Sequence, residues 1–203
     1  MPSVAAWALV VVVSSLVCVN RARAEEPTTR AEEPTGSTED PARPPAAFPV
    51  GTEYFSLSGA FQNERTGEDR YLATASAGFG RYFYDNAAFE WQIVGYGTHD
   101  EDEALGMGGN ALLRYHFLNI DRFSLYGDVL GGVFVLTDDF PTGGTALNFT
   151  YAGGPGASWR LRDRLYLSGG VRFQHVSNAF ISGRDRNPIF NSFGGYVGLT
   201  WTK

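Results

Sequence analysis

Apolar and polar residues alternate strictly along most of the chain from about residue 51 onward. In Leu147-Asn148-Phe149-Thr150-Tyr151, for example, every second residue is apolar, and similar segments of about ten residues recur to the end. Residues i and i+2 lie on the same side of a strand, so such segments build a sheet with one apolar face. The pattern predicts eight strands, over residues 52–62, 70–83, 87–98, 105–117, 123–136, 145–161, 164–178 and 191–202.

The connections between these strands alternate in length. Short turns are predicted after the second, fourth and sixth strands, around Asp85-Asn86, 119–121 and Arg162-Asp163, and longer polar connections after the odd-numbered strands. Short turns at one end and long loops at the other are typical of outer-membrane barrels. The last strand also closes on Trp201, like a terminal assembly signal, although two residues follow it. We therefore predict an all-β fold: an eight-stranded antiparallel transmembrane β-barrel of outer-membrane type.

The polar face of these strands carries charged residues that a narrow barrel interior could pair with one another. They are Glu90, Gln92, Arg114, Asp128, Arg160 and Arg172. The apolar set would then face lipid, with Tyr and Trp at the interfaces. A soluble lipocalin-like barrel with the reverse polarity shares the same alternation, but the charged minority face, the strand lengths and the closing Trp201 favour the membrane barrel.

The first 50 residues differ in character from the rest. Residues 5–19 form an apolar run that ends near the small-residue site Ala22-Arg23-Ala24, which predicts a secretory signal peptide over residues 1–24. Cys18, the single cysteine, lies within it, so the mature chain has no disulfide. Residues 25–50 hold six of the ten prolines and are predicted to form a disordered tail. The barrel domain is assigned to residues 51–203.

Polar groups interrupt the apolar face near the end of the predicted seventh strand. His175 and Ser177 have the same parity as the apolar Phe173, and Asn191 in the eighth strand has the parity of Phe193. A base and a hydroxyl on a face built for lipid are costly to place there. Three polar groups thus converge on one lipid-facing patch near the extracellular rim, which predicts hydrolytic chemistry at an apolar surface.

The stretch 169–193 resembles the PagL-type lipid A 3-O-deacylases, also called the acyloxyacyl hydrolase family. The family signature His-x-Ser-Asn-Ala stands here as His175-Val176-Ser177-Asn178-Ala179, and Gly170-Val171-Arg172 and Leu147-Asn148-Phe149 also fit. The resemblance implies an eight-stranded outer-membrane barrel with Ser177 as nucleophile and His175 as general base. The family has an acid at the start of the last strand, where this chain has Asn191, followed by Ser192-Phe193.

The group that orients His175 is open at this stage. The Asn191 amide carbonyl could accept a hydrogen bond from the imidazole, although it supplies no formal charge. Asp185 in the preceding loop is the other candidate. Asn178 follows the nucleophile and could support the oxyanion through its amide or its backbone N–H.

The resulting functional prediction is an outer-membrane esterase that removes an ester-linked acyl chain from the lipid A of lipopolysaccharide, at the 3-O position by family resemblance. A non-catalytic structural or adhesive barrel that has lost the acid is the alternative, and a phospholipase is a third possibility. No metal or organic cofactor is expected, because no His, Cys or carboxylate cluster has ligand spacing. The formal net charge of −6 argues against a nucleic-acid partner.

Overall fold

The computed structural model describes residues 47–65 and 69–203, so the predicted signal peptide and most of the predicted tail lie outside the described residues. Eight antiparallel strands close into a barrel in chain order. The strands are β1 (Glu53–Glu64), β2 (Tyr71–Tyr84), β3 (Ala87–His99), β4 (Glu103–Ile120), β5 (Phe123–Phe140), β6 (Thr145–Arg162), β7 (Leu165–Ser177) and β8 (Phe190–Thr202). No helix among the described residues is long and apolar enough to cross a membrane.

The predicted strands are confirmed in number and order, but several extend further at the extracellular end. The ladder between β3 and β4 continues until His99 pairs with Glu103, so only residues 100–102 connect them. The connection predicted over residues 99–104 is therefore too long, although the observed connection still exceeds the two-residue turns at the other end of the barrel. The polar residues there reflect exposure to water. They do not end the ladder, because the backbone groups of the two strands still pair. The long connection is the one between β7 and β8, residues 178–189.

The two faces of the barrel have the predicted polarity. Leu167, Val171 and Val197 are 41%, 58% and 58% exposed on the outer wall. The predicted lumen residues Asp128 and Arg172 are buried inside. A lipocalin-like barrel would show the opposite arrangement, so this alternative is excluded and the apolar outer wall is the surface that contacts lipid.

An ion-pair network fills the centre of the lumen. Asp128 accepts hydrogen bonds from Arg172 Nη2 at 2.7 Å, Arg114 Nη2 at 2.9 Å and the Tyr196 hydroxyl at 3.1 Å. The two guanidinium groups also lie over the rings of Tyr126 and Tyr196, with 3.9 and 3.8 Å to the ring centroids. Charges buried in a narrow lumen are tolerated only when paired in this way. The network joins β4, β5, β7 and β8, and so fixes the strands that carry the candidate site.

The periplasmic end is closed by an aromatic residue from the segment before β1. Phe48 is 4% exposed, and its ring centroid lies 5.1 Å from that of Tyr82 and 4.1 Å from that of His116. Its backbone N–H donates to Asn86 Oδ1 at 3.2 Å. The predicted tail over residues 25–50 therefore extends too far, since the ordered domain begins before Gly51. One aromatic residue between prolines has no periodicity from which its burial could be predicted.

Candidate active site

The candidate residues lie on the outer wall at the extracellular ends of β6, β7 and β8. In the β7–β8 ladder His175 is paired with Asn191, and in the β6–β7 ladder it is paired with Tyr151. Ser177 is the last residue of β7 and is paired with Phe149. His175, Ser177 and Asn191 are all half-buried, as expected for groups on the outward face next to bulky neighbours.

Of the two side chains that could orient His175, Asn191 is the one that contacts it. Nδ1 of His175 lies 2.7 Å from Oδ1 of Asn191. Because a carbonyl oxygen only accepts, Nδ1 carries the proton in this bond, and in the neutral imidazole Nε2 then has the free lone pair. That tautomer is the one a general base needs, since the base must accept a proton on the nitrogen away from its orienting partner.

Asp185 does not reach the imidazole. It lies on the exposed β7–β8 loop, and within the described part of the chain the ring nitrogens of His175 form a hydrogen bond only with Asn191. The ladder fixes Asn191 opposite His175, whereas the loop carries Asp185 away from the strands. Across the same residues, no group of three or more His, Cys, Asp or Glu is arranged to hold a metal ion.

Ser177 is adjacent to His175 on the same face of β7. Successive outward residues of a strand stand side by side, so hydroxyl and imidazole share one patch. Among the described residues, the Ser177 hydroxyl forms no hydrogen bond with the His175 ring. Catalytic hydrogen bonds are often long without substrate and shorten in the substrate complex.

Asn178 has a structural role that the sequence analysis missed. Its side chain is buried, its Oδ1 accepts the Phe180 N–H at 3.0 Å, and its amide donates to the Arg186 carbonyl. Its backbone N–H donates to Asn187 Oδ1 at 2.8 Å. These bonds hold the β7–β8 loop against the end of β7. Support of an oxyanion by Asn178 stays a prediction, and these donors are engaged within the loop in this structure.

The chain turns sharply immediately after the candidate nucleophile. Ala179 and Phe180 have φ values of 54° and 65°, a left-handed conformation that side chains with a Cβ rarely adopt. Such strain persists only where the surroundings impose it, and it is concentrated at functional sites. Here the loop is held at its far side by Arg186, which donates to Asp139 Oδ2 at 3.1 Å and to the Gly144 carbonyl at 2.9 Å.

An aromatic patch surrounds the polar groups on the outer wall. The rings of Tyr151 and His175 are stacked with centroids 4.7 Å apart and planes 22° apart. Phe173 packs edge-on against Phe193 at 5.4 Å. The alternation predicted an outward Tyr151, but only the pairing register of β6 with β7 shows that it covers the imidazole.

Comparison with known proteins gives one family and several barrels of the same fold. A family model described as lipid A 3-O-deacylase (PagL) matches residues 69–200, well over half of the chain, including His175, Ser177 and Asn191. The crystal structure of the outer membrane enzyme PagL is 18% identical, covers 70% of this chain and 97% of its own, and superposes with a TM-score of 0.55. The N-terminal β-barrel domain of Pseudomonas aeruginosa OprF is 13% identical, with 76% and 98% covered and a TM-score of 0.50. No curated protein matches significantly. At these identities the solved structures show the fold alone.

Proposed function

This outer-membrane protein belongs to the PagL family of lipid A 3-O-deacylases, and on that premise we propose that it is a serine esterase that hydrolyses the 3-O-linked acyl chain of lipid A. The observation that carries the proposal is the His175–Asn191 hydrogen bond of 2.7 Å beside Ser177, on the lipid-facing wall. A buried or lumenal site could not reach a lipid ester, whereas this patch lies on the apolar outer wall, where a lipid ester can approach it.

The proposed reaction proceeds in two steps. Nε2 of His175 takes the proton of the Ser177 hydroxyl while its Oγ attacks the ester carbonyl carbon. The tetrahedral intermediate collapses to an acyl-enzyme, and the sugar hydroxyl leaves with the proton from His175. Water, deprotonated by His175, then hydrolyses the acyl-enzyme and releases the fatty acid. Water supplies all the atoms that are added, and we expect Ser177 and His175 to carry the acyl and proton transfers without a metal or organic cofactor.

This site has an amide, Asn191, at the position where a Ser-His-acid triad has a carboxylate. Its carbonyl fixes the tautomer and the orientation of His175, but it places no negative charge beside the imidazolium that forms in the transition state. We therefore propose that Asn191 is the orienting member of the site and that the chemical step is slower than it would be with a carboxylate.

A non-catalytic barrel is the second candidate, and two observations favour it. An amide stands where the family has an acid, and Ser177 forms no hydrogen bond with His175 among the described residues. Incubation of the purified, refolded protein with lipid A, followed by mass spectrometry, separates the candidates. We expect one 3-O-linked acyl chain to be lost from lipid A and to appear as free fatty acid.

The matched controls are detergent alone and vesicles of phospholipid. Intact lipid A in the presence of a correctly folded barrel would identify the protein as non-catalytic. Fatty acid released only from the phospholipid vesicles would identify it as a phospholipase. Loss of a chain from another position would retain the esterase and refute the 3-O assignment.

Substitution of Asn191 tests the orienting role. We expect Asn191→Ala to lower kcat by about 10- to 100-fold with little change in KM, because the imidazole loses its orientation while the lipid-binding surface is retained. Asn191→Asp, which is isosteric and anionic, should match or exceed the wild-type kcat. The matched control is Asp185→Ala, which should be nearly silent. A silent Asn191→Ala together with a damaging Asp185→Ala would reverse the assignment.

A further inference from the structure

One face of the imidazole of His175 is covered by a tyrosine from the neighbouring strand. Tyr151 is paired directly with His175 in the β6–β7 ladder. The planes of the two rings differ by 22°, and their centroids lie 4.7 Å apart. The ladder fixes both backbones, so the stack follows from the register of the two strands. Tyr151 is itself 41% exposed on the outer wall, where an interfacial tyrosine is common.

Among the described residues, no carboxylate forms an ion pair or a hydrogen bond with His175. On β8 its partner is the neutral Asn191, and on β6 it is Tyr151. Arg65 follows β1, the other neighbour of β8, and its backbone N–H donates to the backbone carbonyl of Asn191 at 2.9 Å. In the β7–β8 loop, Asp185 and Arg184 are exposed. None of these charged groups forms a hydrogen bond with the imidazole among the described residues.

Two ion pairs at this rim involve other charged groups. Arg186 of the β7–β8 loop donates to Asp139 of β5, and Glu64 of β1 is paired with Arg70. Two uncharged groups of negative potential contact the imidazole: the Asn191 carbonyl at its edge and the Tyr151 ring at its face. Aromatic faces attract cations through their quadrupole, and the attraction is larger where water is partly excluded, as on a lipid-facing wall.

We propose that Tyr151 is a positioning residue for His175, which holds the plane of the imidazole and stabilises the imidazolium through its ring face. This inference rests on the proposed function, in which His175 becomes protonated when Ser177 attacks. Tyr151 thereby supplies part of the stabilisation that a carboxylate at position 191 would give. Its hydroxyl group has no part in this role, because the stacked ring is what contacts His175.

The kinetic test compares Tyr151→Phe with Tyr151→Leu. Phe keeps the stacked ring, so we expect kcat within about twofold of wild type. Leu keeps an apolar side chain on the lipid face but removes the ring, so we expect kcat to fall about 3- to 10-fold with KM nearly unchanged.

A measurement without catalysis separates this inference from the proposed function. The imidazole proton resonances of His175 are read by NMR of histidine-labelled protein in detergent micelles, with Ser177→Ala in every sample so that no reaction occurs. The ring current of the stacked Tyr151 moves these resonances upfield. We therefore expect them to move downfield in Tyr151→Leu and to stay in place in Tyr151→Phe. Phe173→Leu is the matched control, because it removes an outward ring from the same strand as His175 and should change these resonances much less.

The outcomes are distinct. Unchanged His175 resonances in Tyr151→Leu, or an unchanged kcat, would overturn the role of Tyr151, even if the protein deacylates lipid A. An equal change in Tyr151→Phe or in Phe173→Leu would also overturn it, since the effect would then not depend on the stacked ring. If the predicted NMR shift is found but lipid A stays intact, the stack is real and the proposed reaction fails.

Discussion

The Ser177→Ala protein is expected to release no acyl chain from lipid A under conditions in which the unsubstituted protein does. Removing the hydroxyl removes the atom that forms the acyl-enzyme, so the rate should fall by about 10³-fold or more. His175→Ala should be similarly inactive, because a serine hydroxyl is a weak nucleophile until a base takes its proton. Fatty acid release and lipid A mass spectrometry measure both effects.

The double variant gives the sharper result. Ser177 and His175 act as one unit, so removing either residue already removes the contribution of both. The double variant Ser177→Ala with His175→Ala should therefore be no slower than either single variant. Ser168→Ala is the matched control: it makes the same change on β7 but on the buried lumen face, and it should retain activity. Wild-type activity in Ser177→Ala would exclude Ser177 as the nucleophile.

Asp128→Ala is expected to have the largest effect on stability. The carboxylate accepts hydrogen bonds from both Arg114 and Arg172, and its side chain is 1% exposed. Its removal leaves two guanidinium groups in the lumen without a carboxylate partner, which we expect to lower the free energy of unfolding by about 3–5 kcal/mol. Urea unfolding in detergent or lipid, followed by tryptophan fluorescence, measures the change.

Two comparisons show whether the lost pairing is the cause. Glu103→Ala removes an exposed carboxylate at the extracellular end of β4 and should change the free energy of unfolding by less than about 1 kcal/mol. The triple variant Arg114→Met, Asp128→Leu and Arg172→Met removes all three charges and should recover much of the loss, because no charge then stays unpaired. Equal stability of Asp128→Ala and the unsubstituted protein would show that the network is dispensable.

The fold was largely predictable because alternation with period two is a local property. Each strand of this barrel repeats it for ten or more residues, and short turns such as Asp85-Asn86 separate the segments. The errors occur where local pattern and pairing differ. Residues 99, 103 and 104 belong to the β3–β4 ladder although their polar surroundings had assigned them to a loop, and Phe48 fills the periplasmic end although it lies in a proline-rich segment.

The candidate site was predictable in part. The parity of His175, Ser177 and Asn191 placed all three on the outer wall, and the structure brings His175 and Asn191 within 2.7 Å. Parity could not choose between Asn191 and Asp185, because the path of the β7–β8 loop depends on tethers far away in the sequence. The engagement of Asn178 with that loop was missed for the same reason.

Parity along each strand showed which residues share a face, and the charges on one face favoured placing that face in the lumen. The sequence also put a histidine and a serine side by side, because both belong to one strand. Which residues of other strands reach them became visible in the folded barrel. The offset between neighbouring strands is set by the closure of the barrel, and that offset brings Asn191 to the imidazole edge and Tyr151 to its face.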